Sequence, residues 1–335
     1  MDFREYIKKK YLKPSTRILE FGPLNRATVT KETHPNIFFT DIRSTEDVIK
    51  MYTANDYLES TGITVDLDSI VHIDYVIEGS YKETFKGVEK FDVALLSHVI
   101  EHIPDIIGFF NDITNVLKKD GKLIIIYPDA RYCFDHFRNG TTFIDAYDVY
   151  KNNENSSNRV FDFVYNVVHE NNPNYFWHNV ERNDILPKND FTTALKAAEK
   201  ARAGELPDDT HFWPFSNYQL IKFLYDMDRA GLLDFDIKEF LPTTENTQEC
   251  MLVLVPKKKP GVQYGTYKEI FDRVSPSLKE ISDNNEILRL QTKVDSLEVK
   301  NVEINAELDM IKSSKRGRIA SEAARAKPAL FGRKK

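Results

Sequence analysis

The sequence predicts an α/β domain: a seven-stranded, mostly parallel sheet that ends in an antiparallel hairpin, with a helical insertion after strand five and a C-terminal coiled coil. Three observations predict it. Short apolar runs of strand length recur through the first 130 or so residues, with helical segments between several of them, which is the β-α-β rhythm of a parallel sheet. Two later runs, Asp234–Leu241 and Cys250–Val255, are joined by little more than the polar TTENTQE, a connection too short for a parallel crossover. Beyond about residue 280 the apolar period changes to seven, the mark of a coiled-coil seam.

Taken in order, residues 2–12 read as a short amphipathic helix, and Arg17–Gly22 (RILEFG) as a buried strand running into a turn. Asn36–Asp41 is a second strand ending in an acid, Ser69–Asp74 a weaker third, and Phe91–Leu96 a fourth. Lys122–Tyr127 follows the turn signal Lys119-Asp120-Gly121 as the fifth. After Pro128 the pattern breaks: residues 129–214 form a polar, aromatic-rich, helix-leaning insertion. Phe215–Leu232 is an amphipathic helix closed by Gly231, and the hairpin completes a globular part expected to span 1–260, with 261–280 as linker.

The chain has 335 residues, 41% of them hydrophobic, enough for a substantial core. Its net charge of −6 implies no general attraction to nucleic acid. Cys133 and Cys250 are the only cysteines; they exclude a disulfide framework and fit a reducing compartment. The start MDFREYIKKKYL lacks an apolar signal core and no apolar run is long enough to cross a membrane, so a cytoplasmic location is expected.

The polar knot Ser97, His98, Glu101, His102, Asp105 lies between the fourth strand and the helix carrying Ile106, Phe109, Phe110, Ile113 and Leu117. Ligands of open parallel sheets bind at the carboxyl ends of strands, where this knot sits. Pro104 suits the first turn of that helix. The spacing His98-x-x-Glu101-His102 also fits an inverted zincin pattern. That pattern needs both histidines on one continuous helix, whereas here a strand runs up to His98 and the helix opens only after His102.

In the extension, Ile287, Val294, Asn301 and Leu308 alternate with Leu290, Leu297, Ile304 and Ile311 as the a and d positions of heptads over 281–312. Asn301 at a favours a parallel homodimer in fixed register; a lone amphipathic helix lying on the domain is the alternative. Residues 312–335 carry nine Lys or Arg and one acid. Such a tail is either simply solvated or attracted to an anionic membrane surface, which extends the expected location to the inner face of a membrane.

ILEFGPLN (18–25), an acid at Asp41 twenty-one residues after Glu20, HVIEHIPD (98–105) and LKKDGKLIIIYPD (117–129) resemble the motifs of class I S-adenosylmethionine (SAM) methyltransferases, which have a Rossmann-like sheet of this pattern. LEFGPLNR, SHVIEHIPD, YPDARYCFDHFR and HFWPFSNYQL further resemble methyltransferases of bacterial surface-polysaccharide clusters, in which glycosyltransferases are frequent partners. The departure is the turn after the first strand. The family usually has two or three glycines there, and this chain has Gly22 alone, followed by Pro23. The missing glycines also argue against a dinucleotide, whose pyrophosphate needs close backbone approach.

The resemblance implies a SAM site at Glu20, Gly22, Asp41, Asp74 and Ser97. Glu20 would organise the turn and face the cofactor's cationic end, Gly22 would admit the backbone, Asp41 would hold the ribose diol, and Asp74 would lie near the adenine. Methyl transfer to a sugar hydroxyl needs positioning and a base within hydrogen-bond reach. His98 is the first candidate and His102 the next, with Asp129 orienting one of them; a purely structural His98 is the competing reading. Arg131 and His136 suit an acidic sugar or lipid-linked phosphate, Arg138 lies beside them, and His211 is placed to face the site from the insertion. An ion pair with Asp135 is the structural alternative for these arginines. Tyr175, Phe176, Trp177, Phe212 and Trp213 are placed either to stack on sugar rings or to form core.

Glu101-His102 also resembles the E-x-x-E-H motif with which RNA-ribose methyltransferases bind a divalent metal, with His98 in place of the first Glu. A His/Glu/His set completed by His136 or His211 offers suitable donors, but no metal is assigned. The function expected is SAM-dependent O-methylation of a sugar in a surface glycan or its lipid-linked precursor. N-methylation of an amino sugar stays open. The alternatives are a non-catalytic methyltransferase-like scaffold that dimerises through its coiled coil, and a small-molecule methyltransferase.

Overall fold

The computed structural model describes residues 2–53, 65–152, 157–178, 185–207, 209–258 and 269–270. The chain divides into two compact units, Met1–Val274 and Ser275–Lys335. The expected coiled coil and basic tail fall in the second unit, outside the described residues.

The first unit is organised by one sheet of strand order β3-β2-β1-β4-β5-β7-β6. Its strands are β1 (Ile18–Phe21), β2 (Ile37–Asp41), β3 (Tyr75–Val76), β4 (Phe91–Ser97), β5 (Leu117–Pro128), β6 (Phe235–Leu241) and β7 (Glu249–Pro256). The neighbours from β3 to β5 pair in parallel. Strand β7 runs antiparallel to both β5 and β6, so the expected seven-stranded, mostly parallel sheet with its antiparallel hairpin is the observed one.

Period-two alternation builds two cores, one on each face of the sheet. Leu19, Phe21, Phe91, Ala94, Leu96, Leu123, Ile125, Leu252 and Leu254 join one cluster, while Ile18, Val93, Leu95, Ile124, Ile126, Met251 and Val253 join the other. The central strands are buried on both faces, which is why they read as continuous apolar runs. Helix α1 (Phe3–Tyr11), capped by Asp2, covers the second face with Phe3 and Ile7. The first face is covered by α4 (Ile106–Ile113) and by a helix at Asn217–Arg229, which starts at a Ser216/Gln219 capping box.

Three features differ from expectation. Residues 69–74 are not a strand: a 3-10 turn occupies Leu67–Ser69, and the chain joins the sheet only where Tyr75 pairs with Thr40. Strand β5 begins earlier than Lys122, because the Lys118–Gly121 excursion is a register shift inside the strand. The pairing jumps from Phe91↔Leu117 to Val93↔Lys122. Pro104 also lies outside its helix, which is capped instead by the Asp105 carboxylate accepting from the Gly108 N–H at 2.8 Å.

In chain order α2 (Thr45–Thr53) and α3 (Tyr81–Thr84) fall between α1 and α4. The described insertion is helical as expected, with α5 (Phe143–Asn152), α6 (Ser157–Asn166), α7 (Pro173–Trp177) and α8 (Phe191–Arg202). The Asn217–Arg229 helix is α9.

Candidate active site at the carboxyl edge

Strand β1 is followed in sequence by β2 on one side, while its neighbour on the other side is β4. The crossovers therefore diverge at β1 and β4, and a crevice opens outside their carboxyl ends. There lies a cavity of about 410 Å³ whose wall includes Gly22, Asp41, Tyr81, His98, His102 and Phe212, a volume in the range of small-molecule sites. Leu206, Pro207, Asp209 and Thr210, near the end of the insertion, close one side.

The backbone bends sharply around this space. Gly22 has φ 54°, and a Cβ there would stand 3.0 Å from Val99 Cγ2 and 3.9 Å from Asp41 Oδ2. Leu24, His98 and Asp209 also have left-handed φ of 47°, 56° and 56°, and all three line the cavity. Left-handed non-glycine residues cost of order 1–2 kcal/mol each, persist only where surrounding contacts hold them, and concentrate at functional sites. Leu24 is held by its carbonyl, which accepts from the Val71 N–H at 3.0 Å. His98 is held by its own N–H, which donates to the Ile126 carbonyl at 2.9 Å.

Asp41 ends β2 at the rim, with Oδ1 accepting from the Arg43 N–H at 3.1 Å. Burial raises its proton affinity above the ordinary carboxylate value, opposed by the bond and charge of Arg43. His98 stands opposite. Its Nε2 lies 2.7 Å from Glu249 Oε1, and its Nδ1 3.7 Å from Glu101 Oε1. Burial lowers its proton affinity, but the Glu249 bond and the two carboxylate charges outweigh that and leave it raised. Glu249 reaches the edge because β7 is antiparallel, which pairs its first residue with Pro128 at the end of β5. The sequence reading missed Glu249; an acid opening the last strand of an antiparallel hairpin was the signal.

His102 lies in the 3-10 turn Ile100–His102, separate from α4, so the two histidines do not share a continuous α-helix. Its Nδ1 faces the Thr210 carbonyl at 3.1 Å. Burial and the neighbouring His211 push its pKa down to about 3. It is therefore a weaker proton acceptor than His98.

Other expected site residues are committed elsewhere. Glu20 is 1% exposed and does not face the cavity. Its carboxylate accepts from the Thr28 N–H at 2.9 and 3.0 Å and from the Thr28 hydroxyl at 2.7 Å, fastening the loop after β1. Asp74 is bound to Lys31 at 2.6 Å and to the Phe39 N–H at 2.9 Å, so it braces β2 away from the cavity wall. The Ser97 hydroxyl accepts from Arg4 of α1 at 3.1 Å and is not part of the wall.

Asp129 orients no histidine. It is fully buried and accepts from Arg131 Nε at 2.9 Å and Nη2 at 2.6 Å, and from the Thr243 hydroxyl at 3.0 Å. Arg131 is therefore an ion-pair residue, although its partner is not the Asp135 expected as the alternative. Arg138 does pair with Asp135, at 2.8 Å, and with Asp162 at 2.9 Å. His136 is stacked on Phe176 and bonded to the Arg131 carbonyl, away from the cavity. His211 is buried against Asp135 behind the wall.

Of the aromatic set, Phe212 lines the cavity. Trp213 donates to the Ile103 carbonyl at 2.6 Å inside the core. Trp177 stacks on Tyr132 at 3.9 Å and donates to the Thr247 carbonyl at 2.8 Å.

A family model described as Methyltransferase domain matches residues 2–220. No curated protein matches the chain. Among solved structures, a SAM-dependent methyltransferase from Aquifex aeolicus is 9% identical with a TM-score of 0.35, over 76% of this chain and 89% of that one. The plantazolicin methyltransferase BpumL, in complex with SAH, is 10% identical with a TM-score of 0.37, over 76% and 81%. The mitomycin 7-O-methyltransferase MmcR is 12% identical with a TM-score of 0.31, over 72% of this chain. The chain spans about half the length of MmcR (49%) and a third of that of coclaurine N-methyltransferase (34%).

Proposed function

The chain belongs to the methyltransferase-domain family, and from that premise we propose that it transfers the methyl group of SAM to a sugar hydroxyl of a surface glycan or its lipid-linked precursor. The observation that carries the reading is the convergence of Gly22, Asp41 and His98 on one cavity at the diverging crossovers of β1 and β4. The residues fit the cofactor. A bare, left-handed Gly22 gives close approach to the backbone, since a Cβ would fill the gap to Val99. Asp41 at the rim offers two carboxylate oxygens to the two hydroxyls of a ribose.

SAM supplies an electrophilic methyl carbon on a sulfonium sulfur. The protein's part is to hold the acceptor oxygen in line with that carbon and to remove its proton. His98 takes the proton at Nδ1. Glu249 holds the ring through Nε2, and the resulting imidazolium sits between the carboxylates of Glu249 and Glu101. Leu206, Pro207, Thr210 and Phe212 form the acceptor side, and the choice of a sugar rests on the sequence resemblance and the size of the insertion. The same reading includes a parallel homodimer through the heptads, glycosyltransferase partners, and attraction of the basic tail to an anionic membrane face. Among the described residues no helix is long and apolar enough to cross a membrane.

The test is transfer of labelled methyl from SAM into glycan and lipid-linked sugar fractions. Full-length protein should label them, and His98→Ala should lower the rate by about 10²–10⁴-fold while retaining SAM affinity. Label entering only small phenols, or an undiminished rate in His98→Ala, would overturn the glycan or the base assignment respectively.

A further inference from the structure

Glu101 is unusual among the buried acids. It is 2% exposed, and neither carboxylate oxygen has a hydrogen-bond partner. His98 Nδ1, at 3.7 Å from Oε1, is too far for a hydrogen bond, and a buried carboxylate with no hydrogen bond is costly; such groups are normally hydrogen-bonded or bind metal. Its neighbours supply the rest of a donor set. One donor atom each from Glu101, His102 and His211 lie within 4.8 Å of one another, and the two imidazole rings meet edge to face at 4.6 Å.

Both imidazoles are already oriented. His102 Nδ1 faces the Thr210 carbonyl at 3.1 Å and His211 Nδ1 faces Asp135 Oδ2 at 2.5 Å. Each partner is an acceptor, so each ring donates from Nδ1 and leaves its Nε2 lone pair to bind. Metal-ligating histidines use this arrangement, with a carbonyl or carboxylate fixing the ring from behind. Asp135 is itself fixed by Arg138 at 2.8 Å.

We propose that Glu101, His102 and His211 bind one divalent transition-metal ion beside the cavity. Two imidazole nitrogens and one carboxylate oxygen suit zinc, manganese or iron(II) rather than calcium or magnesium, which prefer oxygen alone. With bonds of about 2.1 Å a tetrahedral ion holds its donors about 3.4 Å apart, so the three side chains draw inward on binding. Three protein ligands leave at least one position for an outside oxygen. His102 and Thr210 line the cavity, so the ion lies at its wall. It also ties the turn after β4 to the end of the insertion. Neither His136 nor His98 belongs to the set, since His136 is stacked away on Phe176 and His98 is bonded to Glu249.

The test needs no SAM, so its outcome is separate from that of the methyl-transfer reading. Full-length protein stripped with chelator is titrated with Zn²⁺ and with Mn²⁺, and cobalt(II) is added to a parallel sample as a spectroscopic probe. The expected result is one equivalent bound, a raised unfolding temperature, and visible cobalt absorption. The isosteric Glu101→Gln should weaken binding at least tenfold, while His136→Ala should bind as the unaltered chain does. No stoichiometric binding and no cobalt band in the unaltered chain would overturn the proposal, whatever the variants do. Equal affinity in folded Glu101→Gln would also overturn it, as would a site that takes Mg²⁺ in preference to Zn²⁺.

Discussion

Two parts of the sheet's carboxyl edge hold similar side chains put to different use. Where β1 and β4 diverge, Gly22, Asp41 and His98 face a common cavity, and the backbone at Gly22, Leu24 and His98 is left-handed. Past the end of β5, residues of the same chemical types face one another. Asp129 holds Arg131 and Thr243, Asp135 holds Arg138 and His211, and Trp177 covers Tyr132. The first region keeps polar groups directed at a space and accepts backbone strain. The second pairs its carboxylates internally, Asp129 with Arg131 and Asp135 with Arg138 and His211. Polar residues at strand ends are thus not equivalent, and what separates them is whether the side chain lines the cavity or is enclosed among partners away from it.

The sharpest way to break this comparison is to remove a partner on the β5 side. Arg131→Ala would leave the buried Asp129 charge without its cation, which should cost about 3–5 kcal/mol in chemical denaturation, with SAM affinity of the folded protein unchanged. Loss of acceptor binding at unaltered stability would instead return Arg131 to the substrate.

Glu20, which fastens the loop after β1 without facing the cavity, gives a second test through pH. Burial raises its pKa from 4.5 to about 7, although its bonds from Thr28 pull the other way. The folded state therefore holds a proton that the unfolded chain releases, and stability falls as pH rises from about 4.5 to about 7. The full fall is about 3 kcal/mol. Glu20→Gln, which cannot titrate, should flatten that slope in denaturation midpoints measured across the window. An unchanged slope would mean that the carboxylate is not held as described.

The smallest effect concerns the aromatic groups. Trp177→Phe keeps the stacking on Tyr132 but loses the bond to the Thr247 carbonyl, worth about 1 kcal/mol of stability. The acceptor KM should not move. A raised KM at constant stability would make Trp177 a sugar platform.

Much of the fold was legible because strands buried on both faces write themselves as apolar runs, as in β1, β4 and β7. Strand β3 was not, since only Tyr75 and Val76 pair. The early start of β5 was hidden by the polar Lys118–Gly121 excursion. That Gly22, Asp41 and His98 meet at one cavity was legible because their positions follow from strand ends alone. Arg131, His136 and His211 were assigned to substrate because their side chains suit it. Their partners come from the fold: the Asp129 bonded to Thr243, the ring of Phe176, and the carboxylate of Asp135. Glu249 was missed for the same reason, since only the hairpin register sets it beside His98.

The most direct measurement is calorimetric titration of SAM into the full chain and into Asp41→Asn. The account predicts a single site in the unaltered protein. The variant should bind about 10–100-fold more weakly, the loss of charge-assisted bonds to a ribose, while unfolding at nearly the same temperature. Equal affinity in the two proteins, or no binding in either, would contradict the assignment of this cavity to the methyl donor.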